Sequence, residues 1–308
     1  MRSILVLTST YPRWAQDTEP AFVHFLCKQL GRTCRVIVLA PHYTGARRHE
    51  EMDGVHVCRF RYFIPMAERL AYDGGIITNL KRNRLKFLLI PFFLTSQFVN
   101  ILWLARKYRV DLIHAHWIVP QGLLAVLARR LRLIPGRIRV LCTAHGGDLF
   151  SLQRNAWQAL KYYTLRHADH TTVVSTAMRD LLVEAGCSAG RISVRSMGVD
   201  LSTAFQPDTV DERNIDLLFV GRLVEKKGVA VLVEALHLLQ AEFPDLRLTI
   251  VGDGPDKPAL QQRAVQLGIA DRIEFTGAVP NDEVPRYYRS ARIAVVPSVV
   301  SADGDQEG

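Results

Sequence analysis

No two cysteines in this 308-residue chain form a C-x-x-C pair; the five (Cys27, Cys34, Cys58, Cys142 and Cys187) are odd in number and scattered. That excludes a disulfide framework and a cysteine zinc site, and leaves the thiols as small buried apolar groups in a reducing cytosol. A secretory leader is not expected either. The opening run Ser3-Ile4-Leu5-Val6-Leu7 is too short for the apolar core of a signal peptide, so it reads as a first strand and the chain is expected to stay in the cytoplasm. Neither 4–7 nor 216–220 is followed by the G-x-G-x-x-G turn that a nicotinamide oxidoreductase requires. Helix-turn-helix, zinc-finger and RNA-recognition signatures are lacking, which removes nucleic acid from the expected partners. Acidic residues fail in one place: none occurs between Asp73 and Asp111.

What is present is enough for buried cores. Hydrophobic residues make up 48% of the chain, which rules out disorder, and the length predicts two domains. The net charge of +9 is unevenly spread: residues 1–205 carry +15 and residues 206–308 carry −6. Such asymmetry means that the first half faces an anionic partner, and an anionic membrane surface suits it better than nucleic acid.

Short β-branched runs alternate with helix-length segments. Strands are predicted at 4–7, 36–39, 55–60, 111–114, 140–143, 171–174 and 192–195, with helices at 22–30, 122–131, 156–167 and 176–185. A polar stretch at 206–214 interrupts the cycle. It restarts with strand 216–220, helix 228–243, strand 246–251, helix 257–267 and strands 273–276 and 293–296. Alternation of this kind gives parallel sheets with helices on both faces. The expected architecture is α/β: two doubly wound domains, 1–205 and 206–308, with a cleft between them. In such sheets ligands bind beyond the carboxyl ends of the strands, and the conspicuous polar residues follow strand ends there.

The acid-free stretch 81–109 stands apart. Fourteen of the nineteen residues from Phe87 to Ala105 are apolar, with Lys81, Arg82, Arg84 and Lys86 before them and Arg106, Lys107 and Arg109 after. Pro91, Thr95, Ser96, Gln97 and Asn100 interrupt the run, so a helix lying in a membrane interface is expected before a buried core helix, and either before a spanning one.

The strongest chemical signal is Gly221-Arg222-Leu223-Val224-Glu225-Lys226-Lys227-Gly228. A buried strand ends in glycine, two cations follow five residues apart, and a helix is predicted to begin at Gly228. Unpaired amides and the positive dipole end of a helix suit a phosphate. Arg222 adds a bidentate fork and Lys227 a point charge. A solvated loop with surface cations is the bland alternative. His145 also follows a strand end, before Gly146-Gly147, which allow close backbone approach to a ligand. His114 and His116 carry the weaker claim of the three, since lone histidines are more often structural.

This glycine–cation stretch resembles the family 4 glycosyltransferases, which have the GT-B fold of two Rossmann-like domains. Further residues agree in order and spacing. They are Ser9-Thr10-Tyr11-Pro12-Arg13, Pro20-Ala21-Phe22-Val23, Asp111-Leu112-Ile113-His114-Ala115-His116-Trp117, Thr143-Ala144-His145-Gly146-Gly147-Asp148, Met197-Gly198-Val199-Asp200, Val251-Gly252-Asp253-Gly254-Pro255 and Phe275-Thr276-Gly277-Ala278-Val279. Glu307 matches the first glutamate of the family's two-glutamate motif; the second would lie past residue 308, which leaves the second domain incomplete.

The resemblance implies a retaining, metal-independent hexosyltransferase that uses a UDP- or GDP-linked sugar as co-substrate and no cofactor. Gly221, Arg222 and Lys227 would hold the donor diphosphate, and Gly252, Asp253, Gly277 and Val279 the nucleotide and sugar. His145 and Glu307 would serve the reacting sugar, with Glu307 orienting it and not attacking it, and the leaving phosphate would accept the acceptor's proton. His116 and Asp148 would lie on the acceptor side, toward a glycan or lipid-linked acceptor at an anionic membrane. Asp303-x-Asp305 imitates a metal signature of another glycosyltransferase fold but reads here as an acidic loop. An epimerase of the same fold and an inert nucleotide-sugar-binding remnant are the rivals.

Overall fold

The computed structural model describes the chain except residues 151–154, 202, 207–212, 303 and 305–308. It divides into two compact units, Met1–Gly198 and a second from Val199 onward.

The first unit opens with β1 (Ser3–Leu7), α1 (Phe22–Leu30), β2 (Arg35–Pro41), β3 (His49–Met52) and β4 (Val55–Phe60). It continues through α2 (Ile76–Arg82), α3 (Ile90–Lys107), β5 (Leu112–His116), α4 (Leu123–Arg130), β6 (Arg139–Ala144) and α5 (Gly147–Phe150). α6 (Asn155–His167), β7 (His170–Val173), α7 (Thr176–Glu184) and β8 (Ile192–Val194) complete it. The eight strands lie in the order β3-β4-β2-β1-β5-β6-β7-β8, parallel except for β3. Every residue of β1 is buried, as are six of the seven in β2. Strands covered by helices on both faces need such continuous apolar runs, which is why they are legible in the sequence.

The hairpin β3–β4 differs from the sequence reading, which had no strand at 49–52. Its residues, His49-Glu50-Glu51-Met52, lie at the sheet edge and alternate between exposed and half-buried. The connection is Asp53-Gly54, both at positive φ (52° and 78°). That is the geometry a two-residue hairpin turn demands and that Asp-Gly favours.

The second unit contains β9 (Ile215–Val220), α8 (Val229–Leu238), β10 (Leu248–Val251), α9 (Lys257–Gln266), β11 (Ile273–Gly277), α10 (Val284–Ser290) and β12 (Ala291–Ala294). Its sheet is fully parallel in the order β11-β10-β9-β12. The chain therefore steps outward from β9 to β11 and then returns to the other side of β9. Helix α8 ends at Leu238, shorter than the 228–243 of the sequence reading, and α10 was not anticipated. The unit boundary also falls earlier than 205/206. Residues 199–205 belong with the second unit, because Arg289 donates to the Ala204 carbonyl (3.2 Å) and Phe205 packs edge-on against Tyr288 in α10, ring centroids 5.8 Å apart.

Segment 81–109 holds a helix that buries one face and leaves the other exposed. Phe93, Gln97, Ile101, Leu104 and Ala105 form one buried stripe of α3, spaced as one helical face, and α3 packs on β2, β4 and α4. The opposite face stays exposed, with Phe92, Val99 and Trp103 outward, and Leu85, Phe87 and Leu88 are exposed in the turn before it. Residues 84–107 are long and apolar enough to cross a membrane by length and composition alone.

Candidate functional site

In the first unit the order of strands reverses between β1 and β5, the place where parallel sheets open a crevice. His116 ends β5, and His145 follows β6, the next strand. The two rings meet there: His116 Nδ1 and His145 Nε2 are 2.9 Å apart, and the ring planes differ by only 13°. Phe22 from α1 and Trp117 from the β5 loop each place a ring 5.1 Å from that of His145. Trp117 holds a positive φ of 76°, an uncommon conformation for a bulky residue and one that clusters at functional sites.

Asp148 ties the loop together from below. It is buried, and its carboxylate accepts from the amide of His145 (Oδ1, 2.9 Å) and that of Ile118 (Oδ2, 2.8 Å). It therefore fixes the loops after β5 and β6 at once. Burial pushes its pKa up, against the pull of these amides and of Lys161. The sequence reading put Asp148 on the acceptor side; in the structure its oxygens are bound to backbone.

Burial holds all three histidines neutral. His114 and His145 are each lowered to about 4, and His116 lies well below its usual value, with its two histidine neighbours adding to the effect. His114 contacts Thr143 Oγ1 (2.7 Å), which meets Thr172 Oγ1 (2.6 Å). That chain runs inside the sheet, so His114 is structural. Phe22, Trp117 and Thr143 lay within motifs noticed in the sequence, yet nothing in their spacing announced contact with the histidines.

In the second unit the strand order reverses between β9 and β12, and Gly221-Arg222 leaves β9 at that point. Three glycine turns stack across the strand ends. The Gly221 amide donates to the Val251 carbonyl and the Gly252 amide to the Gly277 carbonyl, both at 2.9 Å. The Leu223 amide donates to the Asp253 carbonyl at 2.9 Å. Contact is close enough that a Cβ on Gly252 would lie 1.9 Å from the Gly221 oxygen. Asp253 is exposed; its Oδ1 accepts from Gly254 N (2.7 Å) and its Oδ2 lies 3.5 Å from Lys257 Nζ. Lys257, four residues on, is a cation that the sequence reading passed over. It comes within 3.8 Å of where a Cβ on Gly277 would sit. Val279 packs beside Leu218 and Val251, a core contact.

Arg222 and Lys227 flank the β9 turn, and Lys227 Cε lies 4.0 Å from the position of a Cβ on Gly221. The helix begins one residue later than expected. Glu225–Lys227 form a short 3-10 turn, and Gly228 caps it at φ 67° before α8 starts at Val229. The Gly228 amide is bonded to the Glu225 carbonyl, so the amides that α8 can offer an anion begin at Val229. The loop after β12 closes against this turn: the Val299 amide donates to the Lys226 carbonyl (2.9 Å), and the Ala302 amide to Glu225 Oε1 (2.9 Å). Glu307, Asp303 and Asp305 lie outside the described residues.

The family description Glycosyltransferase Family 4 matches residues 21–203, and Glycosyl transferases group 1 matches residues 202–308. The chain is 33% identical, over 66% of its length, to a protein of Escherichia coli strain K12 named for a colanic acid biosynthesis glycosyltransferase; that match spans 50% of the relative's own length. It is 26% identical over 99% of its length to a GDP-mannose-dependent α-(1-6)-phosphatidylinositol monomannoside mannosyltransferase of Mycolicibacterium smegmatis, covering 75% of that protein. Among solved structures, Anabaena HepE in complex with UDP-glucose matches with a TM-score of 0.67 at 17% identity, covering 97% of this chain and 74% of that one. At such identity the likeness establishes the fold, that of the GT-B enzymes.

Proposed function

The chain belongs to glycosyltransferase family 4, and from that membership we propose that it moves a hexose from a nucleotide-diphosphate sugar onto a glycan or lipid-linked acceptor at a membrane, with retention of configuration and without a metal ion. The observation that carries this reading is the set of stacked glycine turns at the carboxyl ends of β9, β10 and β11, flanked by Arg222 and Lys227. The backbone leaves no room for a side chain at Gly252, and the two cations and the start of α8 supply positive potential for a diphosphate. As the sugar–phosphate bond breaks, negative charge grows on the leaving phosphate, and preorganised cations and amides stabilise it. Gly221, Gly252, Asp253, Gly277 and Val279 form the nucleotide side in this reading, and His145 and Glu307 attend the sugar. Relatives named for GDP-mannose or solved with UDP-glucose support a nucleotide-sugar donor of either kind.

Transfer to an acceptor should persist in excess EDTA, because Arg222, Lys227 and the helix start take the place of a cation. Radiolabelled sugar followed from donor to acceptor checks this. Complete loss of transfer, restored by manganese or magnesium, would reject the metal-free reading and make Asp303 and Asp305 candidate ligands. An epimerised nucleotide sugar as the sole product would point to the rival activity.

The acceptor's membrane location is supported by the surface around the N-terminal end of α3. Leu85, Leu88 and Met66 are 73%, 69% and 79% exposed, and Phe63, Ile64, Phe87 and Phe92 are exposed with them. Segments 61–69 and 83–96 adjoin, since Phe63 packs on Phe92 (5.4 Å) and Lys86 Nζ donates to the Arg69 carbonyl (2.9 Å). Arg69, Lys81, Arg82 and Arg84 are exposed around them, and the nearby Glu68 is fully buried against Arg61 and His42. Apolar side chains ringed by cations suit the interface of an anionic bilayer, where each cation adds ~1 kcal/mol within a Debye length. Binding to vesicles containing an anionic lipid should weaken with salt. It should also drop when Lys81, Arg82, Arg84 and Lys86 become Gln. Indifference to such vesicles at low salt would indicate a soluble acceptor.

A further inference from the structure

The geometry points to His116 as a positioning residue that sets the tautomer of His145: by donating its Nδ1–H to His145 Nε2, it leaves His145 with a single N–H donor, on Nδ1, for an oxygen of the bound sugar. This rests on the reading that His145 faces the donor sugar.

His116 is 0% exposed, and its Nδ1 reaches His145 Nε2 at 2.9 Å. A neutral imidazole carries one proton, and both rings are held neutral by burial at ordinary pH. One proton therefore lies between the two nitrogens, and its owner decides both tautomers. The other nitrogen of His116, Nε2, is buried with no hydrogen-bond partner among the described residues. If Nε2 carried the proton, a donor would be orphaned in the core, the rarer and costlier of the two defects. The proton is then on Nδ1 of His116, and His145 Nε2 accepts it. The proton of His145 must sit on its own Nδ1.

The surroundings keep that arrangement from relaxing. The backbone of His145 is bonded to Asp148 Oδ1, and the same carboxylate holds the Ile118 amide two residues after His116. Phe22 and Trp117 flank the ring, and His114 lies against His116 with ring centroids 4.3 Å apart. The product is an imidazole whose remaining nitrogen, Nδ1, is a donor and not an acceptor. Such a group can bond a sugar hydroxyl or ring oxygen but cannot take a proton from the acceptor.

Two measurements test this. With 15N-labelled histidine, long-range 1H–15N spectra near pH 7 should give the Nδ1–H pattern for both His116 and His145; an Nε2–H pattern for His145 overturns the proposal without reference to activity. In transfer assays, His116→Phe, which keeps a ring and removes the donor, should lower kcat ~10–100-fold, the usual cost of removing an orienting partner. The affinity for free nucleoside diphosphate should not change. His116→Asn places an N–H near the former Nδ1 and should recover most of the loss. If His145→Ala transfers sugar normally, the reading of His145 itself fails. If His145→Ala is impaired while His116→Phe is not, the positioning role alone is overturned.

Discussion

Arg222→Ala and Lys227→Ala should each lower turnover ~10²-fold or more, the cost of removing one preorganised donor from a site where charge develops. Both side chains rise from one turn. Gly221 ends β9, Arg222 follows it, and a short 3-10 turn returns Lys227 to within 4.0 Å of the Gly221 Cβ position. They sit where the sheet order reverses between β9 and β12, the place where parallel sheets bind ligands. Because the two cations act on one group, the double variant should lose less than the product of the single losses. Lysine in place of Arg222 should recover only part of the loss, since a point charge does not reproduce a bidentate fork. Loss of affinity for a nucleoside diphosphate should accompany the loss of turnover. Near-normal turnover in both single variants would reject the phosphate clamp and leave these residues as surface cations.

Most of the strands were legible in the sequence because a parallel sheet covered on both faces requires uninterrupted apolar runs, and 4–7 and 36–39 are such runs. Helix 22–30 was legible to the residue. The elements that escaped lack that signature. Strand His49–Met52 is a polar edge, and only its Asp53-Gly54 turn advertised it. Helix Val284–Ser290 has one buried residue, Pro285, so no apolar stripe marks it. The boundary between units was misplaced because 206–214 looks like a linker by composition. What ties 199–205 to the second unit is a contact with Arg289 and Tyr288, more than eighty residues away.

The candidate site divides in the same way. Glycines and cations that follow strand ends could be found from order and spacing, as Gly221, Arg222, Lys227, Gly252 and Gly277 were. Whether a polar side chain faces outward or serves the fold could not. Asp148 and His114 resemble His145 in their setting along the chain, yet the carboxylate of Asp148 is bonded to two amides and His114 to Thr143 within the sheet. The pairing of His116 with His145 crosses two strands twenty-nine residues apart, and local pattern carries no information about it.

Replacing Gly252 by alanine should unfold the second unit at markedly lower temperature and abolish nucleotide binding, although alanine adds only one methyl group. Three facts combine. Gly252 has a φ of 142°, in a region that is essentially reserved for glycine and costs other residues ~1–3 kcal/mol. An added Cβ would lie 1.9 Å from the Gly221 oxygen and 2.9 Å from its carbonyl carbon, far inside van der Waals contact, and forcing such overlap costs typically a further ~1–3 kcal/mol. The backbone cannot yield without breaking its bonds, because the Gly252 amide is held by Gly277 and the Gly221 amide by Val251. A total of several kcal/mol is a large share of the ~5–15 kcal/mol that stabilises an ordinary domain. For a unit of about this size, each kcal/mol lowers the Tm by ~4–8 °C. Gly190→Ala is the control, since a Cβ there meets nothing within 4 Å and should stay within ~0.5 kcal/mol of the parent. Calorimetry of the two variants, with nucleoside diphosphate titrations alongside, makes the comparison. A Gly252→Ala protein that melts and binds like the parent would mean that the three glycine turns do not stack at contact distance, and the nucleotide side of the site would have to be sought elsewhere in the second unit.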